Sequence, residues 1–196
     1  MSEFDEKLSA TLARALPQFK QLNKVERLSG GASQETYRLE VEMTTGAKTL
    51  AMRRAPGGVH VDPTPGHPGL DVEALLMRSA RDVGVPEPEV FHVLEPRDDL
   101  GDGFIMEWLE GIALGARVVR SPELEDIRPK LAYMCGEVLA KIHAIDLPTT
   151  GLAQKLDVIS PADYVEQTWE RYRLFETPQP MIDYAARWLQ ENAPED

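Results

Sequence analysis

One cysteine, Cys135, stands in 196 residues, which excludes an intrachain disulfide and any metal site built from several cysteines. No stretch approaches the ~18 uninterrupted apolar residues of a membrane span. Basic residues are also short: 21 Lys and Arg face 33 Asp and Glu, a formal charge of −12. Phosphate neutralisation on nucleic acid requires clustered cations, so the charge argues against a general nucleic-acid binder, and small molecules or proteins are the expected partners. The 14 glycines and 15 prolines lie well below the ~25–30 % of low-complexity chains, and no fixed-period repeat is present. The opening MSEFDEKLSATLARALPQF is acidic and amphipathic and has neither the basic nor the apolar segment of a secretory signal. The expectation is a cytoplasmic protein with no membrane partner.

What is present is a globular mixture, 42 % hydrophobic, large enough for one domain or two small lobes. Phe4, Leu8, Leu12 and Leu16 recur at four-residue spacing before Pro17 and predict an opening helix. Residues 25–28, 36–42 and 49–54 read as three strands, the first two separated by Gly30-Gly31 and the next two by the hairpin signal TTGAK. A Gly-, Pro- and His-rich loop, 55–69, precedes LDVEALLMRSARDVGV, which carries Val72, Leu75, Leu76, Ala80 and Val83 on one helical face. Two more strands are expected at 89–94 and 104–109 across the polar turn EPRDDLGDG. This predicts an α+β chain: a five-stranded antiparallel sheet with a helix inserted after the third strand, then helices.

Beyond Gly111 the pattern becomes helical. In LAYMCGEVLAKIH the residues Leu131, Met134, Cys135, Val138, Leu139 and Ile142 share one face, so Cys135 is expected as a buried core thiol. Ser160 and Pro161 suit the cap and first turn of a further helix, and a last one runs through Met181, Ala185, Trp188 and Leu189. A domain boundary is expected near 110, dividing a mainly β region 1–109 from a helical region 110–196.

LSGGASQETYRLEV, LAMRRAP, DVEALLMRSARDVGVPEPEVF, FIMEWLEG and CGEVLAKIHAIDL follow one another in this order. No one of them is specific alone; as an ordered set they resemble the aminoglycoside phosphotransferase-like (choline kinase-type) family, near a branch linked to acyl-CoA dehydrogenases. The resemblance spans essentially the whole chain. It implies a protein-kinase-like fold, with a nucleotide-binding N-lobe at 1–109 and a partial helical C-lobe at 110–196. Its implied activity is transfer of the γ-phosphoryl group of ATP to a hydroxyl of an unknown small acceptor, with Mg²⁺ expected only for a complete enzyme.

Carried over residue by residue, Gly30, Gly31, Ala32 and Ser33 would cover the nucleotide phosphates; a glycine-rich hairpin turn is the other reading. Arg53 takes the position of the strand lysine that holds phosphate, a departure from the usual residue, with Arg54 as the fallback. Glu73 matches the helix acid that positions that cation, with Asp71 able to substitute. Met106 would stand behind the adenine, and Glu107 and Leu109 would offer hinge backbone groups. His143 is expected as a packed helix-end histidine, while His60 and His67 with Asp62 lack the further ligands a metal site needs.

The family's catalytic loop, His-Gly-Asp with a following Asn and a later metal-binding Asp, is missing. None of His60, His67, His92 and His143 precedes Gly-Asp. The expectation is therefore a truncated, inactive N-terminal portion of a phosphotransferase, liable to self-associate through unfinished helices that expose Trp188 and Leu189. A noncatalytic nucleotide-binding or protein-interaction module, a truncated pseudokinase, is the alternative.

Overall fold

In the computed structural model, residues 2–29, 33–64 and 66–194 are described. Helix α1, Glu3–Ala15, starts at a capping box in which Ser2 and Asp5 satisfy each other's backbone amides, at 3.2 and 2.9 Å. Pro17 stops it, and the chain turns directly into strand β1, Phe19–Arg27. The expected first strand began only at 25. The earlier half carries two irregularities, between Phe19 and Gln21 and between Leu22 and Lys24, which break the alternation by which a strand is read.

Strand β2, Glu35–Met43, alternates strictly, with Glu35, Tyr37, Leu39, Val41 and Met43 buried. Strand β3, Gly46–Arg54, follows across a tight turn at Gly46. Strands β4, Val90–Val93, and β5, Gly103–Glu107, complete an antiparallel sheet of order β1-β2-β3-β5-β4. Helix α2, Leu70–Asp82, lies between β3 and β4 in the chain. This is the expected α+β fold, and the helix sits where it was expected.

The sheet separates two cores. On one face Leu8 and Leu12 of α1, both fully buried, pack with Leu39, Val41, Leu50, Met52 and Ile105. On the other, Leu70 and Ala74 of α2 pack with Ala55, Val90 and Phe104. Burying side chains of this size stabilises by about 1.5–3 kcal/mol each. Val83, expected on the packed face, lies past the last helical residue at the C-cap of α2 and is exposed.

Helices α3, Gly115–Arg120, α4, Leu131–His143, and the single turn α5, Leu147–Thr150, follow the sheet. Helix α6, Pro161–Arg173, takes Ser160 as its cap, the serine oxygen accepting from the Asp163 amide at 3.1 Å, and α7 is Pro180–Asn192. The chain divides into two compact units, Met1–Lys155 and Leu156–Asp196. Within the first unit, residues 111–155 are held to the preceding part by fully buried Leu152, the Lys155–Asp71 ion pair at 3.0 Å and the Lys141 ammonium on the Gly84 carbonyl at 2.9 Å. Among the described residues no helix is long and apolar enough to cross a membrane.

Two expectations for α4 are corrected. Cys135 is exposed, and the stripe of Met134, Val138, Leu139 and Ile142 around it lines an open groove of about 500 Å³. His143 is exposed as well. Periodicity shows which side chains share a face and says nothing of whether another element covers it.

The α1 face contains Asp98, 3 % exposed, in the turn between β4 and β5. Its carboxylate accepts from Arg14 at 2.6 Å, Thr11 at 3.2 Å and the Glu95 amide at 2.8 Å, and meets His92 Nε2 at 2.8 Å. Burial pushes its pKa up, but the Glu95 amide, His92 and Arg14 together outweigh burial and hold it at about 2. The folded value lies below the ordinary one, so the contribution is fully present above pH ~4 and is lost as pH falls through about 2; its size is about 2 kcal/mol. Asp98→Asn should lower stability at pH 7 by about 2–3 kcal/mol in urea unfolding, with the gap from wild type closing toward pH ~2.

Candidate functional site

Strand β3 ends in Arg53-Arg54, and alternation sends consecutive side chains to opposite faces. Arg53 emerges on the α2 face, where its guanidinium meets the Glu73 carboxylate at 2.5 Å. Its Nε also donates to the Gln34 side chain. Arg54 emerges on the α1 face and is occupied there: it bonds Glu35 at 2.7 Å and the Tyr37 hydroxyl at 3.0 Å, and lies over the Phe4 ring at 4.5 Å. The two arginines that the sequence left as alternatives therefore have different surroundings. Asp71, the alternative to Glu73, pairs instead with Lys155.

The strand register extends the Arg53 side. Arg53 stands opposite Phe104, and Ala51 stands opposite Met106, so these four residues share the α2 face of the sheet. Met106 packs at the border of the α2 core. Glu107 ends β5, with its amide on the Glu89 carbonyl at 2.8 Å, and Leu109 stands exposed just beyond it. Ser33 lies at the other end, beside Gln34. Gly30, Gly31 and Ala32 lie outside the described residues.

A cavity of about 560 Å³ lies next to this arrangement, bounded by Ser33, Gln34, Glu73 and Leu76 on one side and by the 55–69 loop on the other. Of the residues expected at the phosphate end it takes in Ser33 and Glu73; Arg53, Met106, Glu107 and Leu109 do not line it. The loop is held where it crosses the β4–β5 turn. Gly58 and Gly101 both have positive φ, and a Cβ on Gly101 would lie 2.2 Å from the Gly58 carbonyl carbon. Only glycine permits that approach.

The neighbouring acids and histidines are tied to one another. His60 Nδ1 meets Asp102 at 2.9 Å, and Asp102 also accepts from the Val61 amide at 2.8 Å. Asp102 raises the His60 pKa; burial pushes Asp102 up, but His60 and the Val61 amide outweigh it and lower its pKa. Among the described residues no three His, Cys, Asp or Glu side chains group to hold a metal ion.

Sequence reasoning missed Gln34, whose contact with Arg53 crosses strands, and Arg38, which stands opposite Ala51 and lies over the Trp108 ring at 5.5 Å. Register counting from TTGAK would have found Arg38. No sequence signal marks Gln34.

The model of a family described as "Phosphotransferase enzyme family" matches residues 24–196. Acyl-CoA dehydrogenase family member 10 of Mus musculus is 27 % identical over 174 residues, covering 84 % of this chain and 15 % of that protein. Acyl-CoA dehydrogenase family member 11 of Gallus gallus is 26 % identical over 199 residues, 96 % of this chain and 24 % of that protein. The chain thus spans less than a quarter of the length of these relatives, whose names match the branch that the motifs resemble.

Gly101→Ala should force the 55–69 loop off the β4–β5 turn and lower stability by about 1–3 kcal/mol. Thermal unfolding reads the loss, and NMR titration should show the His60 pKa returning toward its ordinary value as the Asp102 contact opens.

Proposed function

This chain belongs to the phosphotransferase enzyme family, and on that premise we propose that it forms the nucleotide-binding portion of an ATP-dependent phosphotransferase whose acceptor is a hydroxyl of a small molecule. The observation that carries the reading is the Arg53–Glu73 ion pair. A cation on the third strand is held by an acid of the following helix, on the face shared with Ala51 and Met106. The pair is more than a quarter exposed on both sides, so it contributes little to stability. Its planar guanidinium has donors suited to phosphate oxygens.

In this reading Arg53 binds the α- and β-phosphates, Glu73 and Gln34 orient it, and the segment Gly30 to Ser33 covers the phosphates. The Glu107 carbonyl and Leu109 amide face the adenine edge in front of Met106. The nucleotide lobe is then 1–109, and 110–196 leads from the hinge into the helical lobe. Bound ATP supplies the transferable γ-phosphoryl group. Mg²⁺ belongs to this proposal only as the companion of ATP in a complete enzyme.

A second reading, a noncatalytic nucleotide-binding or protein-interaction module, draws on one observation: none of the four histidines precedes Gly-Asp. Self-association fits either reading. Helix α7 exposes Met181, Trp188 and Leu189, and α4 exposes Met134 and Leu139.

Arg53→Ala should weaken ATP binding in titration calorimetry by about tenfold or more. Arg54→Ala should instead lower thermal stability. Equal ATP affinity of wild type and Arg53→Ala would remove the phosphate role.

A further inference from the structure

Strand β2 places a charge where its alternation calls for an apolar side chain. Tyr37, Leu39, Val41 and Met43 fill the buried register, and Glu35, 6 % exposed, begins it. A buried carboxylate is tolerated only when its oxygens are satisfied. Here four donors reach it. Oε2 accepts from the Tyr37 hydroxyl at 2.8 Å and Arg54 Nε at 2.7 Å; Oε1 accepts from the Gly57 amide at 3.3 Å and pairs with Arg27 at 3.1 Å. Burial pushes the Glu35 pKa up, but the Tyr37 hydroxyl, the Gly57 amide and Arg54 outweigh it and leave it lowered, so the group is a carboxylate at neutral pH.

The four partners come from different places. Arg27 ends β1, Arg54 ends β3, and Gly57 lies in the turn that opens the 55–69 loop. Arg27 and Glu35 are the two stems of segment 28–34, which the Leu28 amide also closes on the Thr36 carbonyl at 2.8 Å. The adjacent side chain, Gln34, points the other way and contacts Arg53. Glu35 therefore anchors both stems from beneath while its neighbour touches the phosphate-binding candidate above.

We infer that Glu35 is a positioning residue for nucleotide binding: by joining the strand ends at Arg27 and Glu35 to β3 and to the 55–69 loop, it fixes the neighbouring Gln34 against Arg53. This inference rests on the nucleotide reading above. It acts on the phosphates and leaves the adenosine end, near Met106 to Leu109, untouched.

Two variants test it. Glu35→Gln keeps a side chain of the same shape and removes the charge. Arg27→Ala removes the tie across the stems through a guanidinium that is 63 % exposed, so it folds even if Glu35→Gln does not. For each variant, ATP and adenosine affinities are measured by calorimetry, and amide hydrogen exchange is followed without nucleotide.

The expected result is ATP affinity lower by about three- to tenfold, unchanged adenosine affinity, and faster exchange in 28–34 with no change in 38–43. Unaltered ATP affinity, or an equal fall for adenosine, overturns the positioning role. Should wild type bind neither ligand, the nucleotide reading and the role of Glu35 in it fall together. Exchange then reports separately whether Glu35 ties the stems.

Discussion

The pairing of β2 with β3 is the constraint on which the rest depends. It sets Glu35 opposite Arg54 and Thr36 opposite Arg53. Consecutive strand residues face opposite sides, so one ladder builds two different sites, one rung apart. Beneath the sheet, Glu35, Arg54, Tyr37 and Phe4 form a buried ionic and aromatic cluster. Above it, Gln34, Arg53 and Glu73 remain partly open to solvent.

The two sides use charge differently. Glu35 and Asp98 are buried and each meets several donors. Removing one donor from such a group leaves a desolvated charge, which is costly. These acids therefore fasten separate parts of the chain: Asp98 holds α1 to the β4–β5 turn, and Glu35 holds three strand ends to the following loop. Arg53 and Glu73 are about a third exposed, where an ion pair costs little to rearrange. Arg54, stacked on Phe4 and bonded to Glu35, is instead committed to the fold.

The candidate site was legible where local rules govern it. The alternation in LAMRR separated Arg53 from Arg54, and α2 was readable from its apolar face. It was less legible wherever a long-range partner decides. Arg53 rather than Arg54 faces α2 because that helix packs on the Ala51 side, through Phe104 and Ala74. Gln34 carries no local signature as a partner of Arg53, nearly twenty positions away. The first two thirds of β1 was hidden by its register irregularities, and the solvent exposure of Cys135 and His143 by the fact that a stripe does not name its cover.

By itself the sequence determined the elements and their order: an apolar period of two or of 3.6, stopped by Gly and Pro, is a property of neighbours along the chain. It also contained the family's ordered motifs. Only the tertiary structure decided which charges are buried and saturated, which remain open, and which of two adjacent arginines meets Glu73. Those outcomes depend on contacts between residues distant in sequence, where the desolvation cost of each charge is set by what packs around it.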